Sequence, residues 1–206
     1  MRYIVGIDEV GRGPLAGPVT VCAALFPSRF SFKKASQKLG VPLRDSKRLT
    51  ETQRIQWAEY LKKEKGILYG LSTVSPRHID RINIKNATNK AVESALGALL
   101  KKKRIPKHGI HIYMDGGLAI SPKATKKLGL RHMPRSILHG DATIPQIAAA
   151  SILAKVSRDR LMTRLALRYP HYGFEHHKGY GTKKHYQALR RYGISPIHRR
   201  SFLRAV

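Results

Sequence analysis

Tyr3-Ile4-Val5-Gly6-Ile7-Asp8-Glu9-Val10-Gly11-Arg12-Gly13-Pro14 is the stretch from which the rest of the chain is read. Residues 3–7 are β-branched or aromatic apart from Gly6, which suits a buried strand. That strand runs into two adjacent carboxylates, Asp8 and Glu9, and then into a turn held open by Gly11 and Gly13. Acids at the end of a core strand are costly unless something pairs with them, and a divalent metal is one such partner. Glycines bring backbone N–H groups close to a ligand, and Arg12 between them carries a fork that matches phosphate. Taken alone, the same residues also fit a surface turn that follows a strand.

Working outward, 206 residues are enough for one domain with its own core. A hydrophobic content of 42% excludes a disordered basic tail, and 40 Lys and Arg against 12 Asp and Glu leave a charge of +28. Such an excess calls for a polyanionic partner, and without a membrane signature that partner is nucleic acid. With acids so scarce, two of them side by side at 8 and 9 become more pointed. The single cysteine, Cys22, excludes an internal disulfide and a cysteine-rich zinc site and fits a reducing compartment. No apolar run approaches a membrane span and no signal-type segment opens the chain, so a soluble, cytoplasmic protein is expected.

Val19 to Phe26 is a second apolar run, expected to pair with the first as a hairpin. Residues 27–42 read as a polar, basic loop. Thr50-Glu51-Thr52-Gln53 opens a helix with a capping box, its stripe formed by Trp57, Tyr60 and Leu61. Ile67 to Val74 reads as a strand and Asn83 to Lys101 as a long helix. Ile110 to Met114 is another short strand, and it too ends on an acid and glycines, Asp115-Gly116-Gly117. Strands that each carry an acid at the C-terminal end bring those acids together if they are neighbours, and that edge of an α/β sheet is where ligands bind. Residues 118–130 read as a basic linker and Arg131 to Leu138 as a last strand. Asp141 precedes a helix that starts at Pro145 and runs to about Tyr169, so a simple N-cap is the alternative role for it. Asp159 lies a further 18 residues on, about 27 Å along such a helix. It is therefore read as structural, paired with a nearby arginine.

From Pro170 the composition turns to Gly, His, Tyr and basic residues, with a short helix over Lys183 to Tyr192. Aromatics interleaved with cations suit a surface that grips phosphates and stacks on sugars or bases. A zinc site at His176, His177 and His185 has no thiols to support it. The chain is thus one unit over 1–206, with a core to about 169 and a helical substrate-binding segment over about 170–206.

Asp8, Glu9, Asp115 and Asp141 offer only hard oxygen ligands, which points to Mg²⁺ or Mn²⁺. A carboxylate-held pair of such ions beside a basic surface is the arrangement for attack of water on a phosphodiester. Neither a P-loop nor a Gly-x-Ser-x-Gly elbow is present. Successive strand residues face opposite sides, so a bulge or the start of the turn must redirect Asp8 or Glu9.

Several long stretches then carry a resemblance in order along nearly the whole chain. They are Gly6 to Pro18, Asp45-Ser46-Lys47, Asp115-Gly116, Gly140-Asp141, Ala149 to Asp159, His177-Lys178-Gly179-Tyr180 and His198 to Phe202. With them the sequence resembles the type 2 ribonucleases H, in their bacterial ribonuclease HII branch. The resemblance implies a ribonuclease H-like α/β fold, with a central mixed five-stranded sheet flanked by helices and a helical C-terminal extension. It matches Asp8, Glu9, Asp115 and Asp141 to the family's metal-binding acids and Gly11-Arg12-Gly13 to its sensor of the ribonucleotide 2′-OH. Tyr180, rather than Tyr172, matches the tyrosine that stacks on the sugar at an RNA–DNA junction; Lys47, assisted by Ser46, matches a phosphate contact. The implied activity is cleavage of RNA in RNA–DNA hybrids and 5′ to single ribonucleotides in duplex DNA, leaving 3′-hydroxyl and 5′-phosphate ends. Nothing in the sequence demands a protein partner or more than a monomer. The alternative from another class is a non-catalytic basic nucleic-acid-binding protein, which has no use for anions facing phosphate.

Overall fold

Tyr3–Val10 forms β1, and the computed structural model, which describes residues 2–102 and 109–203, places it at the centre of a five-stranded sheet. β2 (Val19–Pro27) and β3 (Leu68–Val74) extend the sheet antiparallel on one side. β4 (Ile110–Asp115) and β5 (Arg135–Ile137) extend it parallel on the other, giving the order β3-β2-β1-β4-β5. The helices are α1 (Phe32–Leu39), α2 (Glu51–Lys63), α3 (Pro76–Leu100), α4 (Pro122–Lys127), α5 (Gly140–Thr143), α6 (Pro145–Arg168), α7 (Phe174–His177) and α8 (Lys183–Tyr192).

β2 is buried over all but its last residue, and apolar there except at Thr20, because both of its faces are covered. Val19, Val21, Ala23 and Leu25 join a core with Ala87, Ala91, Leu96 and Leu99 of α3. Cys22, Ala24 and Phe26 point the other way, into a core with Trp57 and Leu61 of α2 and Ala149, Ile152 and Leu153 of α6. A Cβ at Gly6 would lie 2.2 Å from the Gln146 carbonyl. The absence of that atom lets the first turn of α6 seat directly on β1. A third cluster joins Leu15 and Ala16 of the β1–β2 connection to Met162, Tyr172, Phe174 and Leu189. Through it the C-terminal segment closes over the turn that follows β1.

Four elements depart from the sequence reading. The stretch 27–42 is not all loop, since it contains α1, capped by Ser31 and ended by Gly40 at φ 66°. Phe32, Ala35 and Leu39 stand at i, i+3 and i+7 and pack on the Trp57 core, a helical period that the reading passed over among the lysines and serines between them. The 118–130 linker contains α4, a six-residue helix opened by Ser121 and Pro122. Helix α3 starts at Pro76 rather than Asn83, and Asn83 is where it breaks, at φ 63° and ψ 165°. There the Asn83 side chain accepts from the Asn86 N–H at 3.0 Å and caps the second half. The last strand keeps only Arg135–Ile137 of the expected 131–138. The hairpin, the Thr50–Gln53 capping box, the Pro145 start of α6 and α8 are as expected.

Candidate active site

β1 continues through both acids, and its pairing with β2 stays regular up to Val10 opposite Thr20. No bulge redirects Asp8 or Glu9. The parallel pairing with β4, however, stops at Ile7 opposite Met114, one residue before the acids. The Asp8 carboxylate uses that freed edge and accepts the Glu9 backbone N–H at 2.7 Å. Carboxylate oxygens of Asp8, Glu9 and Asp115 then all lie within 4.8 Å of one another. Among the described residues this is the group of acids, histidines or cysteines arranged to hold a metal ion.

Asp141 sits on α5 and lines the same cleft, with its backbone N–H donating to Asp115 Oδ1 at 3.3 Å. It does not cap α6, whose N-cap is Ile144 and has no side-chain bond. Lys47 Nζ stands 3.8 Å from Asp141 Oδ2. Asp159 is structural as expected, but its partner is Lys155 at 3.0 Å rather than an arginine.

The electrostatics describe a site short of positive charge. Burial, and then the Glu9 charge, raise the Asp8 carboxyl well above its ordinary value. Burial also raises Glu9 and Asp141, and Asp115 adds to both. Glu9 Oε2 is buried with no hydrogen-bond partner. Arg12 partly compensates, with Nη1 at 3.4 Å from Glu9 Oε1. Burial works against the Lys47 charge, yet Asp45, Asp141, Asp8 and Asp115 outweigh it and raise that lysine. An orphaned carboxylate oxygen among hard donors fits a divalent cation.

Around the acids lie Gly11, Arg12 and Gly13, Ser46 and Lys47, Ser151 and Lys155 of α6, and Tyr180, in a cleft of about 250 Å³. Ser46 is buried, and its hydroxyl is engaged with Ser151 Oγ at 2.9 Å. Ser151 also lies beside Asp8 and favours its charged form, against the burial that raises it. Tyr180 is 42% exposed and faces the turn: a Cβ at Gly13 would be 4.0 Å from its ring. Tyr172 is 8% exposed and its hydroxyl donates to the Gly193 carbonyl at 3.0 Å, so it is a core residue. The three histidines of the zinc alternative do not converge. His176 pairs with Glu175, whereas His177 and His185 stack on each other at 4.4 Å.

Two buried arginines, unassigned from sequence, hold the glycine turn. Arg199 donates to the carbonyls of Gly17, Arg12 and Gly11 at 2.9, 2.7 and 2.6 Å. Arg158 donates to Pro18, Lys178 and Ala16 at 2.9, 3.0 and 3.2 Å. Gly11, at φ 93°, is required twice over, since a Cβ there would also meet Arg158 Nε at 2.2 Å. A sequence signal existed for one stripe of this machinery. Ser151, Lys155 and Arg158 stand at i, i+4 and i+7 on α6, one helix face directed at the cleft and the turn.

Acids gathered where β1 and β4 end, in a sheet of this order, define a ribonuclease H-like hydrolase. The sequence profile described as Ribonuclease HII matches residues 5–205. The chain is 44% identical over 199 residues to the ribonuclease HII of Shouchella clausii, covering 97% of this chain and 68% of that one. Among solved structures, the ribonuclease HII in a complex with PCNA from Archaeoglobus fulgidus superposes with a TM-score of 0.69 at 26% identity, covering 96% of this chain and 93% of that one. A ribonuclease HIII, Bst-RNase HIII, in complex with Mn²⁺ shares the fold at a TM-score of 0.62 and 17% identity, over 93% of this chain and 63% of that one. The chain belongs to the ribonuclease HII family, and it is an endonuclease of the ribonuclease H class. No helix among the described residues is long and apolar enough to cross a membrane.

Proposed function

We propose that this endonuclease cuts RNA within RNA–DNA hybrids and on the 5′ side of single ribonucleotides in duplex DNA, leaving 3′-hydroxyl and 5′-phosphate ends. The observation that carries the reading is the convergence of Asp8, Glu9 and Asp115 within 4.8 Å in a chain of net charge +28. Such a constellation repels a phosphate unless cations sit between them. Asp8, Glu9, Asp115 and Asp141 would hold Mg²⁺ or Mn²⁺, the second being the ion bound by the structural relative Bst-RNase HIII. When bound, such ions lower the pKa of an attacking water and stabilise the charge on the leaving oxygen.

The remaining steps belong to the chain itself. Lys47, with a side chain 84% exposed beside Asp141, is placed to take a phosphate oxygen. The Gly11-Arg12-Gly13 backbone reads the 2′-hydroxyl, the one group that distinguishes a ribonucleotide inside DNA. It does so without regard to base, because backbone groups face the sugar. Tyr180 stacks on the adjoining sugar, and the cationic surface supplies affinity independent of sequence. Ribonucleotide removal from DNA is the role that fits this chemistry.

Asp8→Asn and Asp141→Asn test the acids directly. Each should lower cleavage of a labelled RNA–DNA hybrid with Mg²⁺ or Mn²⁺ by about 10³-fold while the protein stays folded. Undiminished metal-dependent cleavage by either variant removes that residue from the site.

A further inference from the structure

Tyr180 is held by more than its neighbours in sequence. The Ser195 backbone N–H donates to His198 Nδ1 at 2.9 Å and the Ser195 hydroxyl lies 2.8 Å from the same nitrogen. An amide hydrogen aimed at Nδ1 leaves no room for a second one, so that nitrogen carries no proton and the hydroxyl is a second donor to it. The neutral His198 ring therefore has its hydrogen on Nε2, which lies 3.0 Å from His185 Nε2. Since His185 Nε2 must accept, His185 carries its hydrogen on Nδ1, and Nδ1 lies 2.9 Å from the Tyr180 carbonyl. The two ends of the chain fix its direction independently, one being an amide that can only donate and the other a carbonyl that can only accept.

A parallel bond set fixes the preceding residue. His177 Nδ1 accepts from the Gly179 N–H at 3.2 Å, and its Nε2 then donates to the Tyr172 carbonyl at 2.7 Å. The Tyr180 N–H donates to the His177 carbonyl at 2.9 Å, and the Tyr180 carbonyl also accepts from the Thr182 N–H at 2.9 Å. Both backbone groups of Tyr180 are thus pinned, the carbonyl by His185 and Thr182 together. The Gly179 carbonyl accepts from Leu15 N at 2.8 Å, which ties this loop to the connection leaving the glycine turn. His185 and His198 are 0% and 3% exposed and pack on Phe174 at ring distances of 5.4 and 5.7 Å. Burial lowers both histidines below 6.5, His198 to about 4, which keeps the relay neutral.

We infer that His198 and His185 are positioning residues that form a directed relay, Ser195 to His198 to His185 to Tyr180, presenting the Tyr180 ring to the ribonucleotide sugar. The inference rests on the reading of Tyr180 as the junction contact. A ring whose peptide groups are already fixed loses less freedom on stacking than one on a free loop. The relay thereby serves selectivity at single ribonucleotides and leaves the acids untouched.

Two substitutions separate the two ring nitrogens. In His185→Asn the amide can stand where Nδ1 stood and still donate to Tyr180. In His185→Gln it stands where Nε2 stood and cannot. The readout is the ratio of cleavage at a single ribonucleotide in duplex DNA to cleavage of a long hybrid, from which any loss of folded protein cancels. His185→Gln should lower that ratio about 10-fold, the worth of one well-placed hydrogen bond, and His185→Asn should restore most of it. Ratios equal in the two variants, lowered or not, overturn the relay.

In the unsubstituted protein, ¹⁵N spectra of the imidazoles at pH 7.5 should show His185 protonated at Nδ1 and His198 at Nε2. The opposite tautomer or a cationic ring at either position overturns it as well. Tyr180→Ala distinguishes the failures. A drop for Tyr180→Ala with none for His185→Gln defeats the relay and leaves the Tyr180 reading standing. No drop for either defeats the Tyr180 reading, and the relay with it.

Discussion

The acid cluster and the glycine turn proposed as the reader lie side by side and obey opposite rules. In the cluster, carboxylates are buried against one another, their pKa values are raised, and Glu9 Oε2 has no partner. In the loop, Arg158 and Arg199 between them satisfy six carbonyls, and the histidines donate to two more. The first region is left incomplete so that something cationic can complete it. The second is complete in itself, as the proposed recognition of a single hydroxyl requires.

Breaking the complete region should cost the most stability. Arg199→Ala leaves the Gly11, Arg12 and Gly17 carbonyls without their donor in a buried place. It should lower stability by about 3 kcal/mol, read from urea unfolding. An unchanged midpoint would mean that the turn does not depend on its clasp. Burial, and then Arg158, oppose the charge on Arg199, so its three acceptors are what keep it in place.

Completing the incomplete region should gain less. Mg²⁺ at ten times its Kd should add about 1.4 kcal/mol to stability at pH 7, a gain that Asp8→Asn should abolish. A gain that persists in the variant would place the ion elsewhere.

The smallest effect is a pair of pH slopes of opposite sign. The histidines have folded pKa values below their ordinary 6.5, His198 at about 4. The unfolded chain therefore takes up their protons first, and stability falls as pH drops from about 6.5 towards 4. Around His198 the facing titratable groups are His185 and His177, both also lowered, and Tyr172, whose phenol burial raises, so none supplies an opposing charge. Asp8 and Glu9 are raised above 3.8 and 4.5. The folded protein binds their protons more tightly, so the burial of their charges, and then the repulsion from neighbouring acids, costs stability at neutral pH and is relieved as pH falls through the raised values. Metal-free Asp8→Asn should therefore be more stable than the unsubstituted protein at pH 8, by about 1 kcal/mol. The difference should shrink on acidification, and a difference that grows instead would reverse the description of the cluster.

The same contrast governs what could be read before folding. Asp8, Glu9 and Asp115 are legible because each ends an apolar run, and carboxylates there stand out in a chain with 12 acids. The hairpin and the Thr50 helix are legible because their signals are local. The clasp is not, because Arg199 meets the Gly11 carbonyl across 188 residues and the partner is backbone, which leaves no mark in the sequence. The histidine relay is hidden for a related reason. Its logic lies in which ring nitrogen faces an amide, so His177 and His185 looked at most like weak metal ligands. The helices α1 and α4 escaped because they are short, although Ser31, Gly40, Ser121 and Pro122 marked their ends.

The central claim is that an ion-completed acid cluster works beside a preformed reader of one ribonucleotide. It is tested most directly with an end-labelled DNA duplex carrying one ribonucleotide, incubated with the protein and Mg²⁺ or Mn²⁺. The account predicts a single cut on the 5′ side of that ribonucleotide, leaving a 3′-hydroxyl and a 5′-phosphate. Folded protein that cuts a continuous hybrid but leaves this duplex intact would contradict the reader. Folded protein that cuts neither would contradict the account as a whole.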